Sequence, residues 1–240
     1  MSKPAPGKLV RTLRDLAVRP GVVTEARLEG TDNPYLPTGW VLAAAVVLFL
    51  ALTLARQPQR SSPSPALEQA CADWVMDSPV GSALRAAASP EGGAPPLVAG
   101  ASALTLRFIC DPAPVTRAFN LAVPVAFVLL MPLSALLMWV AFRRSAPRFA
   151  QHWAYGLEAH ATLFGLMIVL AVIGLLGSTL LNIAASLAGL WYLTWNLMAG
   201  VQRTCHVARR TALGRTTLVG VVYALALAVV SVGLVWVQLR

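Results

Sequence analysis

The chain has 240 residues, 57% of them apolar and only 12% charged, with a formal net charge of +9. Soluble domains carry about 25% charged residues and no series of uncharged runs of about 20, so an ordinary water-soluble globule is excluded. The basic balance does not point to nucleic acid either. Its 19 basic residues, 17 of them arginine, gather between the apolar runs, where the connecting loops of a membrane protein carry them. The abundance of Arg over Lys, with much Ala, Gly and Pro, is the composition expected of a GC-rich bacterial gene.

Residues 1–35 read as a basic, cytoplasmic, amphipathic segment. Leu9, Val10, Leu13, Leu16 and Ala17 recur at helical spacing between Lys8, Arg11, Arg14 and Asp15. Arg19-Pro20-Gly21 breaks this helix, and Val22–Glu29 predicts a second short one. Two readings stay open: a helix lying on the inner leaflet, or one packed on the protein's own cytoplasmic face. Without an apolar core ahead of residue 36, the first span is expected to act as an uncleaved signal-anchor.

Five spans are expected, each needing about 20 residues to cross the hydrocarbon. They are 36–55, 118–142, 154–177, 179–201 and 218–239. Tyr35 and Trp40 suit the interface at the first entry. Pro124 and Pro132 predict a kinked second span. The apolar run through spans three and four implies a tight helical hairpin turning at Gly174, Gly177, Ser178 and Asn182. Thirteen Lys and Arg residues fall in segments 1–35, 143–153 and 202–217, against six elsewhere, which puts the N-terminus in the cytoplasm. Lys8, Arg11, Arg14, Arg143, Arg144, Arg209 and Arg210 then become candidate contacts for lipid headgroups.

The loop 56–117 is the longest connection and would be extracytoplasmic. It holds a helical Ala66–Ala88, a flexible Ser89–Pro96, and Leu97–Cys110 as either a strand or a short helix. Cys71 and Cys110 both lie in it, and an oxidising compartment would permit a disulfide. Cys205 falls on the cytoplasmic side and is expected to be reduced.

Intramembrane ionisable groups are the first candidates for function. Glu158 and His160 enter span three, and the hairpin register brings His160 level with Asn196, near Tyr192. Such a cluster could take a proton, a lipid headgroup or a small ligand. The alternative, favoured by the sequence, is interfacial residues that snorkel to water, since Glu158 and His160 lie about 200° apart on a helix. No metal site is expected, because His152, His160 and His206 lack a partnering CxxC, and no catalytic motif or cofactor signature is present. Gly220, Ala224 and Ala228 form a small-residue stripe that could pack spans within one chain or between copies, intramolecular packing being the favoured reading.

Several short motifs resemble a bacterial membrane family of unknown function whose members often carry an N-terminal zinc ribbon. They are Arg19-Pro20-Gly21 with Gly30, Tyr35 and Pro37; Leu130–Leu136; Arg143-Arg144; His152 through His160–Phe164; and Ala212–Arg215. The zinc ribbon is missing here, and Thr31-Asp32-Asn33 stands where that family tends to be basic. The resemblance implies the same polytopic architecture and no particular activity. The expectation is therefore an all-α integral membrane bundle of the bacterial cytoplasmic membrane, acting as a non-enzymatic accessory, assembly or sensing component. Its partners would be the bilayer, another envelope protein or a second copy. A small transporter or lipid-handling protein using Glu158 and His160 is the alternative, and a membrane-embedded enzyme a third.

Overall fold

The computed structural model describes residues 6–30, 34–55 and 65–238. Thr31-Asp32-Asn33, and Lys3, Arg56, Arg60 and Arg240 from the charge count, lie outside them. The described residues are helical with no strand. In chain order they form α1 (Pro6–Val18), α2 (Val22–Leu28), α3 (Thr38–Ala55), α4 (Pro65–Asp77), α5 (Pro79–Ala88), α6 (Pro96–Cys110), α7 (Pro112–Leu129), α8 (Met131–Phe142), α9 (Phe149–Ile173), α10 (Thr179–Cys205) and α11 (Arg209–Gln238).

Three helices are long and apolar enough to cross a membrane: Thr38–Ala55, Phe149–Leu176 and Arg209–Gln238. A fourth candidate is the pair Val98–Cys110 and Pro114–Leu129, which meet at 117°. α10 is also long enough at 27 residues, but Asn182, Thr194, Asn196 and Gln202-Arg203 make it more polar. The second expected span is divided. The helix continues through Pro124 but breaks at Leu130, because Pro132 in the first turn of α8 has no N–H for the carbonyl of Val128.

The chain divides into two compact units. One comprises Met1–Ala55 with Phe127–Leu227, and it centres on α9, which packs against α3, α8 and α10. Leu16, Val23, Tyr35, Val41, Leu42, Ala161 and Phe164 form one buried cluster there, with Phe49 edge-on to Phe164. Met138, Phe142, Tyr155, Val201, Cys205 and Ala212 form a second. Arg215 lies over the Phe142 ring and donates to the Ala141 carbonyl, closing the C-terminal end of α8 with a cation.

The α9–α10 connection is the expected tight hairpin. A 3₁₀ turn, Gly174–Leu176, leads to Gly177 at φ 70°, a left-handed conformation that suits glycine, and the Ser178 hydroxyl accepts from Leu181 N to start α10. Facing pairs such as Leu166 with Gly189 and Tyr155 with Gly200 keep the register of a turn at this place.

The other unit comprises Arg56–Ala126 with Ala228–Arg240. Ala66–Ala88 is two helices separated at Ser78, whose hydroxyl accepts from Gly81 N. Leu97–Cys110, open between strand and helix from its sequence, is the helix α6. Cys71 and Cys110 stand at disulfide distance, with Cα atoms 5.4 Å apart. Ala118, Ala122 and Val235 form a small cluster of their own.

One packing expectation is corrected. The stripe Gly220, Ala224 and Ala228 remains exposed, and a Cβ on Gly220 would meet nothing within 4 Å. The closest helix approach falls instead on α10, at Gly200.

Candidate functional site

The polar residues of α9 and α10 converge on the corner between α1 and α2. That corner has unserved backbone groups for reasons written in its sequence. The last four carbonyls of a helix lack partners one turn on. Here Pro20 has no N–H to offer the Leu16 carbonyl, and Gly21, at φ 84°, directs its N–H away from Ala17. Asn196 Nδ2 donates to the Leu16 carbonyl at 3.3 Å, and the Tyr192 hydroxyl donates to that of Ala17 at 2.9 Å. Thr162 Oγ1 lies 3.5 Å from the same Leu16 oxygen but 3.1 Å from the Glu158 carbonyl, so its single proton goes to Glu158.

Glu158 completes the joint from the other side. Its Oε1 accepts from Gly21 N at 2.6 Å, and its Oε2 accepts from Thr24 N at 2.9 Å and Thr24 Oγ1 at 2.6 Å. A carboxylate with three donors at the first turn of α2 replaces the N-cap side chain that Gly21 lacks. Gly21 also fits sterically: a Cβ there would lie 3.1 Å from the Gly200 carbonyl oxygen and 3.3 Å from Arg203 Cβ. Arg203 adds a bond to the Pro20 carbonyl at 3.3 Å and a 3.8 Å ion pair with Glu25. Both side chains of that pair are substantially exposed, so it contributes less than about 1 kcal/mol.

The last two turns of α1 are fixed by side chains as well. Buried Thr12 Oγ1 accepts from Leu36 N at 3.0 Å, and the Tyr35 hydroxyl donates to Asp15 at 2.8 Å. Burial, then the Asp15 hydrogen bond and charge, push the Tyr35 phenol above its ordinary range, which keeps it a donor. The N-terminal segment is thus pinned to the body through its polar residues.

Of the four residues expected to cluster, Glu158, Tyr192 and Asn196 meet at this corner and His160 does not. It lies on another side of α9, where Nδ1 is 2.8 Å from the Gly156 carbonyl and Nε2 is 3.0 Å from the Tyr223 hydroxyl. Since Nδ1 faces an acceptor it carries the proton, and in the neutral ring Nε2 accepts from Tyr223. Phe127 flanks both rings, and its carbonyl, near the α7–α8 break, lies 3.4 Å from the Tyr223 hydroxyl. Tyr223 was not among the sequence candidates; its only signal was being the one tyrosine of the last apolar run. Arg143, Arg144, Arg209 and Arg210 are all exposed at helix ends.

Tyr155 shows how tightly the hairpin closes. Its ring is buried, its hydroxyl donates to the Leu197 carbonyl at 2.9 Å, and a Cβ on Gly200 would fall 2.5 Å from the ring. Gly200→Val is therefore expected to cost about 1–3 kcal/mol through overpacking, read as a lower thermal midpoint in detergent. Gly165→Val, where a Cβ would meet nothing within 4 Å, should leave the midpoint unchanged. Equal effects at the two glycines would contradict the closeness of this contact.

The Glu158 carboxylate and the Leu16 and Ala17 carbonyls are each matched to groups of the same chain, and no cluster of three metal-ligating side chains occurs among the described residues. Compared with family models, with curated proteins and with solved structures, the chain matches none.

Proposed function

We propose that this is a five-span protein of the bacterial cytoplasmic membrane, with its N-terminus inside, that serves as a non-enzymatic accessory, assembly or sensing component of the envelope. The observation that carries this reading is the filling of the polar cluster by the chain's own N-terminal segment. Glu158 accepts three hydrogen bonds from Gly21 and Thr24, and Asn196 and Tyr192 are engaged by Leu16 and Ala17. A transport site in the same place would need those groups for its cargo, so the geometry favours a joint over a pathway.

Five spans follow from taking α10 as the returning arm of the hairpin and α7 with α8 as one broken crossing, alongside α3, α9 and α11. The charge count then sets the orientation, thirteen Lys and Arg inside against six. The Cys71–Cys110 pair falls outside, where oxidation is permitted. The resemblance of the Arg19-Pro20-Gly21 and His160–Phe164 motifs to a bacterial membrane family supplies the bacterial setting of the proposal. Glu158→Gln and His160→Ala bear on the transport alternative.

Cross-linked in native membranes and purified by a tag, the chain is expected to emerge in a hetero-complex of fixed stoichiometry. Recovery of the chain alone, or with copies of itself only, overturns the accessory reading. So does proton or solute flux in proteoliposomes that Glu158→Gln abolishes while the N-terminal segment stays docked. A reporter after Arg240 that is active only in the cytoplasm overturns the five-span arrangement.

A further inference from the structure

The pinned helix α1 has its faces in an unusual order. The residues it buries include the polar Thr12 and Asp15 with Leu16, whereas Leu9, Val10 and Leu13 are 47%, 68% and 50% exposed. Leu9, Val10, Leu13 and Ala17 share an arc of about 100° on the helix. Arg14 is exposed about 40° beyond the Val10 edge of that arc, and Arg11 is exposed about 60° further round. A helix facing water would hide this stripe and show Thr12 and Asp15, so the arrangement requires a covering that is apolar and negatively charged at its edge.

Its position identifies the cover. Thr12 bonds Leu36 and Asp15 bonds Tyr35, just ahead of Thr38, where the first membrane-length apolar helix begins. Trp40, 73% exposed, stands at that entry, and two residues past Asp15, in the last turn of α1, the Tyr192 hydroxyl reaches Ala17 with Trp195 packed beside Tyr192 at 6.0 Å. Tyr35 and Trp40, a tyrosine and a tryptophan at the start of a span, belong at the headgroup level of a bilayer. The apolar stripe is therefore held where the first apolar span enters, beside aromatic side chains suited to the interface.

We propose that α1 is a lipid-binding element: its Leu9–Val10–Leu13–Ala17 stripe lies in the headgroup–acyl boundary of the cytoplasmic leaflet, and Arg11 and Arg14 bind the phosphates of anionic lipids there. The proposal rests on the cytoplasmic orientation given above. It also reconciles the two ways of reading the segment, since the polar face packs on the protein and the apolar face on the leaflet.

The test uses the full chain with Cys205→Ala, in nanodiscs of phosphatidylcholine alone or mixed with phosphatidylglycerol. An environment-sensitive fluorophore is placed at Val10→Cys or, as a control, at Leu48→Cys on α3, which is half-exposed along the apolar span. Labelling without reductant leaves the Cys71–Cys110 pair out of the reaction. The Val10 probe should be quenched by lipids spin-labelled near the headgroup and protected from aqueous iodide. That quenching should be stronger in the anionic discs, and Arg11→Glu with Arg14→Glu should reduce it there to the level in phosphatidylcholine alone. A Val10 probe that iodide quenches freely, or one shielded from both quenchers as a protein partner would shield it, overturns the proposal. If the Leu48 probe also escapes lipid quenching, the membrane reading itself fails. If both probes are lipid-quenched but the N-terminus maps to the outer side, the orientation fails and with it the assignment to the cytoplasmic leaflet.

Discussion

Glu158→Ala should release the N-terminal segment from the body of the protein. The substitution leaves Gly21 N, Thr24 N and Thr24 Oγ1 without their acceptor and removes the charge at the first turn of α2. Hydrogen bonds to a charged group contribute about 1.5–3 kcal/mol each, and water reaching the opened corner recovers part of that, so a net loss of about 2–4 kcal/mol is expected. Tryptic cleavage after Arg27 reports the population of the undocked form when reclosing is fast. It should rise by roughly two orders of magnitude in detergent-solubilised full-length protein, at about 1.4 kcal/mol per factor of ten. Glu158→Gln, which keeps one carbonyl oxygen but turns an amide N–H₂ toward the other donors, should fall between the two. Thr24→Val, losing only the hydroxyl contact, should show a smaller increase. Unchanged cleavage in Glu158→Ala would show that the joint is held by packing of Leu16 and Val23 alone.

Much of this joint was hidden from the sequence by distance along the chain. Glu158 and Thr24 are 134 positions apart, and nothing in the periodicity of either segment names the other. What the local sequence does contain is the need: Pro20 withholds an N–H from Leu16, and Gly21 permits the turn that leaves Ala17 unserved. The helical elements were legible because apolar runs of span length leave little else possible, and the α9–α10 turn because glycine marks a left-handed position at Gly177. The split of His160 from Glu158 was legible too, as an angle on one helix. Less accessible was the break at Leu130, since a proline inside an apolar run signals a kink and a full stop alike; Pro124 is passed by its helix and Pro132 starts a new one. The small-residue stripe of the last span misled because spacing alone does not say which face a neighbour covers. Gly220 is open, while Gly200, outside any such stripe, is where a tyrosine ring meets the backbone.

Breaking the Cys71–Cys110 pair should loosen α4, α5 and α6 while leaving α9 and α10 as they are. Between residues 69 and 111 the described buried residues are Cys71, Gly81 and Ser102, so no large apolar side chain anchors these helices. With so little core, a covalent link supplies what packing does not. The bond closes a loop between residues 39 positions apart, for which the chain-entropy model gives about 4 kcal/mol. Reduction, Cys71→Ser and Cys110→Ser should therefore have the same effect, and the double variant should add nothing to either single one, because all four remove one link. Hydrogen exchange resolved by segment measures this directly: amides of α5 and α6 should lose most of their protection while those of α9 keep theirs. Two cysteines that alkylate without prior reduction in protein taken from intact membranes would show the link to be absent, and with it the oxidising side of the membrane as the place of this loop. Unequal single variants would instead mean that one sulfur matters for packing. Cys71, the more buried of the two, is where such an effect would show first.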